Sequence, residues 1–183
     1  MANVLYDKIF GSNVNSDKVF LQTENNTISY KKFTELSNKI ANFLIQNGLK
    51  PGDRVAIQAE KSVTQLAVYS ATIKAGAVYL PLNTAYTATE LKYFISDARP
   101  RIIILDKKSL NLAKKELPDI EATFFTLNQD ESGSLSDAIS SCSTEFTPAI
   151  RGEEDIAVIM YTSGTTGKAK GAKLCHRNLK TNA

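Results

Sequence analysis

Short apolar runs rich in β-branched residues alternate along the chain with longer stretches whose apolar residues recur at helical spacing. The clearest helical stretch covers residues 30–47, and Gly48 marks its end. Residues 101–106 (RIIILD) are apolar almost throughout, which indicates a strand buried on both faces of a sheet. Residues 156–161 form the last such run. The alternation predicts an α/β fold, with a parallel sheet covered by helices.

Turn and capping signals place the remaining elements. Ser62 with Gln65, and Thr87 with Glu90, have the spacing of capping boxes that open helices. Only residues 128–134 resemble a linker, and this segment is too short to separate two domains, so we expect one domain over residues 1–183. Other predicted elements are strands at 54–58 and 123–127, helices from Ser109 and Ser134, and a loop at 142–151.

Composition predicts a soluble protein with a sizeable core. Of the 183 residues, 43% are apolar, which is enough to fill one core. Asp7 and Lys8 interrupt the position of a signal peptide, and no apolar run is long enough to span a membrane. Two cysteines and one histidine provide neither a disulfide framework nor a zinc site, so a reducing cytoplasm is the expected location.

Positive charge is concentrated at the end of the chain. The formal net charge is +3, yet residues 168–183 contain no acidic residue. This segment also lacks aromatic residues, which disfavours nucleic acid as a partner and favours a small phosphate ligand. The basic residues are Lys168, Lys170, Lys173, Arg177 and Lys180.

The segment with the strongest chemical signal is residues 161–171 (YTSGTTGKAKG), directly after the last predicted strand. Its three glycines permit positive φ and close approach of the backbone to a ligand, while hydroxyls and lysines provide donors for an anion. It is not a Walker A loop, because two residues separate Gly164 from Gly167 and Ala169 follows Lys168. On composition alone, a flexible Gly/Ser/Thr linker remains the alternative to an anion-binding loop.

In its order, this string resembles the signature loop (Y-T-S-G-T-T-G-x-x-K-G) of the adenylate-forming superfamily, which contains acyl-CoA synthetases, luciferases and peptide-synthetase adenylation domains. Residues 27–30, 52–55 and 75–82 resemble further segments of that superfamily. Within it, residues 60–62, 83–87 and 97–100 look most like malonyl-CoA synthetases. Each of these three segments also has a capping, turning or packing role, so another small carboxylic acid remains an alternative to malonate.

The resemblance implies an ATP-dependent acid-thiol ligase. Such an enzyme joins a carboxylate to AMP, releases pyrophosphate and transfers the acyl group to coenzyme A, with Mg²⁺ expected beside the nucleotide. Lys170 matches the more constant of the two lysine positions, and no catalytic residue or metal ligand is assigned. The residues implied in phosphate binding are Thr162, Ser163, Gly164, Thr165, Thr166, Gly167, Lys168 and Lys170.

The same resemblance places the later motifs of the family, including those for adenine, magnesium and the carboxylate, beyond Ala183. We therefore expect a truncated N-terminal subdomain that is inactive alone and prone to self-association through uncovered surface. A nucleotide-binding or interaction module, or a degenerate product, is the alternative. His176 is expected to begin a helix and help orient the loop, with Arg177 and Lys180 on a solvated face; a Cys175–His176 dyad is disfavoured.

Overall fold

The computed structural model describes residues 3–23, 26–162 and 169–182. The strands, in chain order, are β1 (Val19–Gln22), β2 (Thr27–Ser29), β3 (Arg54–Gln58), β4 (Val78–Pro81), β5 (Ile102–Leu105), β6 (Thr123–Thr126), β7 (Ile156–Thr162) and β8 (Lys170–Cys175). β1 and β2 form a separate antiparallel pair. The other six form one sheet in the order β6-β5-β3-β4-β7-β8.

Helices connect and cover these strands. They are α1 (Val4–Ile9), α2 (Tyr30–Gln46), α3 (Val63–Lys74), α4 (Ala88–Ala98), α5 (Lys107–Glu116), α6 (Ser134–Ile139) and α7 (His176–Thr181). Within the described residues, none of them combines the length and apolar character needed to cross a membrane. The loop predicted at residues 142–151 is confirmed, apart from one isolated bridge at Arg151.

Two apolar clusters, one on each face of the sheet, confirm the predicted layering. α1, α2, α3 and α6 contribute to the first cluster, and α4 and α5 to the second. Ile102 and Ile104 of β5 belong to the first cluster, whereas Ile103 and Leu105 belong to the second. All four side chains are 0% exposed, so the prediction that this strand is buried on both faces is confirmed.

The predicted parallel sheet is confirmed for five strands, but β8 runs antiparallel to β7. A parallel crossover needs a dozen or more residues. Only residues 163–169 separate β7 from β8, so the chain has room to reverse direction but not to cross over. The predicted phosphate-binding segment therefore connects two neighbouring antiparallel strands.

Helix starts agree with the capping signals in part. Thr87 and Glu90 form the predicted reciprocal box. Ser62 accepts from the Gln65 backbone, but the Gln65 side chain donates to Tyr79 Oη at 2.6 Å, so the second predicted box is incomplete. α5 begins two residues before the predicted Ser109, because the carboxylate of Asp106 caps it by accepting from Ser109 N at 2.8 Å.

The buried lysine Lys74 is a feature that the helical pattern did not reveal. It is 1% exposed at the end of α3. Its ammonium donates to Asn38 Oδ1 and lies 4.5 Å from the centre of the Tyr6 ring. None of the ion pairs found among the described residues includes it. Burial lowers the pKa of Lys74 to about 8.

A Lys74→Met variant tests this burial. The pKa of Lys74 is lower in the folded state, so the cost of charging the buried amine is fully present below about pH 8 and disappears as the pH rises toward 10.5. Between pH 7 and pH 10, the wild type should gain roughly 2 kcal/mol of unfolding free energy relative to the variant. Urea unfolding at several pH values measures this difference.

Lys115→Met is the matched control, since Lys115 is exposed on α5. Its stability should follow the wild-type pH dependence. If the unfolding free energies of Lys74→Met and Lys115→Met depend on pH in the same way, the amine of Lys74 is not buried in the folded protein.

Candidate functional site

The candidate site lies at the carboxyl end of β7, where the loop begins. Thr162 and Lys170 are opposite each other across β7 and β8, which places the two ends of the loop on neighbouring strands about 5 Å apart. Both residues are exposed. The strand pairing therefore presents a hydroxyl and an ammonium side by side at the edge of the sheet.

The other residues predicted to bind phosphate lie outside the described residues. They are Ser163, Gly164, Thr165, Thr166, Gly167 and Lys168. Of the predicted set, the structure describes Thr162 and Lys170, which it brings together. The ion pairs found within the described ranges leave Lys170 out, and its charge is exposed at the mouth of the loop.

Gly171 has a different role from the one that the sequence suggested. It lies within β8 opposite Tyr161, and its φ is not positive. A Cβ on Gly171 would lie 3.2 Å from Ile159 Cγ2 and 3.4 Å from Tyr161 Cε1. This glycine therefore makes room for the Tyr161 ring on the sheet and not for a ligand.

Side chains from α4 contact the strand ends on both sides of the loop. Tyr161 Oη donates to Asp97 Oδ2, and Tyr93 Oη donates to the Ala169 carbonyl at 2.9 Å. Sequence analysis missed these contacts. The spacing of Tyr93 and Asp97 puts them on one face of a helix, but no sequence signal indicates that this face meets β7 and β8.

The basic residues of α7 are paired with carboxylates. Arg177 Nη1 lies 2.8 Å from Glu154 Oε1, and Lys180 Nζ lies 2.7 Å from Glu153 Oε1. Hydrogen bonding to Lys180 and its charge lower the pKa of Glu153. Arg177 is exposed and Lys180 half-buried, so the prediction of a solvated basic face is confirmed for Arg177 and only in part for Lys180. Because both cations are paired, they contribute less positive charge to the loop than the sequence suggested.

His176 begins α7, as predicted, and is 0% exposed. It directly follows β8 at the end of the strand that is remote from the loop. At the rise of an extended strand, that end lies about 17 Å from Lys170. Among the described residues, neither ring nitrogen has a hydrogen-bond partner, while Cys175 Sγ donates to Asn178 Oδ1 at 2.9 Å. The expectation that Cys175 and His176 form no catalytic dyad agrees with these contacts.

A comparison with protein families matches residues 11–183 to the AMP-binding enzyme family, which is most of the chain and includes the candidate loop. The chain belongs to this family. This confirms the resemblance seen in the sequence and the N-terminal position of the fold within adenylate-forming enzymes.

Several solved structures and curated proteins resemble this member of the AMP-binding enzyme family. ATP-bound MatB from Rhodopseudomonas palustris is 44% identical, with a TM-score of 0.94 over 100% of the chain and 36% of MatB. A Mycobacterium tuberculosis fatty acyl CoA synthetase is 28% identical, with a TM-score of 0.70 over 82% of the chain and 30% of the synthetase. Gramicidin S synthase 2 from Aneurinibacillus migulanus is 31% identical over 163 residues, 89% of the chain and 3% of the synthase. The chain thus spans about a third of the first two.

The buried histidine of this chain should make its stability sensitive to acid. Burial, supported by the charge of Arg151, lowers the pKa of His176, although Asp155 opposes the shift. Its stabilising contribution is therefore present above the pKa of the unfolded state and is lost as the pH falls through the folded pKa. Urea unfolding between pH 7.5 and about pH 5 should show a smaller loss of stability for His176→Phe than for the wild type.

The interpretation is direct because the chain has one histidine. Superimposable pH dependences for wild type and His176→Phe would contradict the burial of a neutral imidazole.

Proposed function

We propose that this chain provides the ATP-phosphate site of an acyl-CoA synthetase that acts on a small carboxylic acid, with malonate as the first candidate. The observation that carries the proposal is the position of the signature loop, whose described ends, Thr162 and Lys170, lie side by side at the carboxyl end of β7. Carboxyl ends of parallel strands are the usual ligand-binding edge of such sheets. The 44% identity to ATP-bound MatB supports the same conclusion.

In the proposed reaction, a carboxylate oxygen attacks the α-phosphorus of ATP, and the bond to the bridging oxygen of pyrophosphate breaks. The loop binds the β- and γ-phosphates and stabilises the negative charge that develops on the leaving pyrophosphate. Lys170 contributes a mobile positive charge, and Thr162 and the other predicted loop residues contribute hydroxyl and backbone donors. The thiol of coenzyme A then attacks the acyl carbonyl and displaces AMP.

Mg²⁺ is expected with the nucleotide in this family. The described residues contain no group of three or more His, Cys, Asp or Glu side chains placed to hold a metal ion. No step is therefore assigned to a metal bound by these residues.

Malonate is favoured over other acids by the segments 60–62, 83–87 and 97–100, which resemble those of malonyl-CoA synthetases. Each segment also has a structural contact. Ser62 and Thr87 cap helices, and the carbonyls of Ala98 and Arg99 accept from the Arg54 guanidinium. The similarity to gramicidin S synthase 2 favours an amino acid as the second candidate substrate.

The chain spans 36% of MatB, so binding of ATP and completion of the ligase reaction are tested separately. We propose that the chain alone binds ATP without completing the ligase reaction. Pyrophosphate release with ATP and Mg²⁺ should stay at background with malonate, acetate or amino acids. Acid-dependent release that requires malonate would contradict the proposed inactivity and support the malonate assignment.

Replacement of Lys170 tests the phosphate site. We expect Lys170→Ala to raise the Kd for ATP by roughly tenfold, the scale of one charge-assisted hydrogen bond. Wild-type affinity should also fall as salt rises, since exposed charges are screened. Isothermal titration of ATP measures both effects.

Lys173→Ala is the matched control. It removes the same charge from the same strand. The two residues are three positions apart, and side chains alternate along a strand, so they leave opposite faces of β8. Equal losses of ATP affinity in both variants would reduce Lys170 to a general electrostatic contribution and remove its assigned role.

A further inference from the structure

α4 contacts the two ends of the loop through two side chains one helical turn apart. Tyr93 donates its hydroxyl hydrogen to the carbonyl of Ala169, the residue that immediately precedes β8, at 2.9 Å. Asp97 accepts a hydrogen bond from Tyr161, the penultimate residue of β7. A single rigid helix is thus bonded to the chain both before and after the loop.

Aromatic packing supports these hydrogen bonds. The Phe94 ring, 3% exposed, lies 4.4 Å from the Tyr161 ring between their centres. The Tyr86 ring lies 4.7 Å from Phe94, and the Tyr93 ring lies 6.3 Å from Tyr161. The absent side chain at Gly171 leaves space for Tyr161 on the sheet. These contacts limit the positions that the Tyr161 and Tyr93 hydroxyls can take.

The direction of the Tyr161 hydrogen bond is fixed by its environment. Burial first, then the hydrogen bond to Asp97 and its negative charge, raise the pKa of Tyr161. The phenol therefore stays protonated at neutral pH and remains a donor to the carboxylate. A charge-assisted bond of this type is stronger than one between neutral groups.

We propose that Tyr93 and Asp97 are positioning residues for the phosphate loop, which hold its two ends at a fixed place on the sheet. Donors that already point at a leaving group need no reorganisation during the reaction, so fixing the loop ends favours phosphate binding. This inference deepens the proposed function and rests on it for the identity of the ligand. The anchoring itself can be measured without any ligand.

The decisive variant is Tyr93→Phe, which removes the hydroxyl but keeps the ring in the cluster. Tyr86→Phe is its matched control, because it removes the same atom from the same cluster, and no hydrogen bond of the Tyr86 hydroxyl is found among the described residues. A second pair separates the carboxylate from the acceptor. Asp97→Asn keeps an oxygen that can accept from Tyr161, whereas Asp97→Ala does not.

The first readout is amide hydrogen exchange at Thr162, Lys170 and Gly171 in the ligand-free chain. Tyr93→Phe and Asp97→Ala should exchange about fivefold faster at these amides, the scale of one lost hydrogen bond, without a matching change in the sheet core. Tyr86→Phe should exchange at nearly the wild-type rate. Asp97→Asn keeps an acceptor but loses the charge, so its rate should lie between those of the wild type and Asp97→Ala. Unchanged exchange in Tyr93→Phe and Asp97→Ala would overturn the inference.

The second readout is the Kd for ATP of the same four variants. Tyr93→Phe and Asp97→Ala should bind about three- to fivefold more weakly. Tyr86→Phe should bind as the wild type does, and Asp97→Asn should lie between the wild type and Asp97→Ala. Faster exchange with unchanged ATP affinity would overturn the role in phosphate binding. A wild type that binds no ATP would count against the proposed function, while the exchange data would still decide whether α4 anchors the loop ends.

Discussion

The antiparallel pairing of β7 with β8 is the constraint on which the candidate site depends. β7 is anchored through its buried residues Ala157 and Val158, and it pairs with the parallel strand β4. β8 has one neighbour in the sheet, so its position follows from β7. Their register brings Thr162 opposite Lys170, and the short connection leaves the loop no alternative to this edge of the sheet. The proposed phosphate site thus relies on ordinary strand pairing.

Different interactions stabilise the two ends of β8. Near the loop, hydroxyl groups and aromatic rings connect the strand ends to α4. At the far end, the chain continues into α7, whose first residue, His176, is buried. The carbonyl of Asp155 accepts a hydrogen bond from the His176 backbone at 2.9 Å, so this end is tied to the segment that precedes β7. Together, the contacts with α4 and the attachment through α7 keep the register that places Lys170 beside Thr162.

Sequence reasoning predicted features that depend on local chemistry. The buried strand 102–105, the Thr87–Glu90 capping box and the loop segment each have a pattern that is readable within a few residues. It could not predict Lys74, because a lysine at the end of a helix is ordinarily solvated and its burial results from α1 and α2 packing over it.

Short elements with distant partners were also missed. α1 has six residues, and its cap Asn3 is stabilised by bonds from its amide to the carbonyls of Ile73 and Ala149, at 2.8 and 3.2 Å. The strand β8 was itself missed, since residues 156–161 were predicted as the last strand, and its antiparallel direction depends on the length of the connection. For the site, the loop sequence identified the family, whereas Tyr93 and Asp97 become recognisable only when α4 is seen against β7 and β8.

The central claim is that the loop end of the sheet binds the terminal phosphates of a nucleotide. Amide NMR of the chain during separate titrations with ATP, pyrophosphate and AMP tests it most directly. We expect ATP and pyrophosphate to shift the Thr162 and Lys170 resonances, with a much smaller effect of AMP. Shifts confined to the opposite edge of the sheet, where a groove of about 660 Å³ is lined by Lys92, Arg99 and Arg101, would contradict the claim.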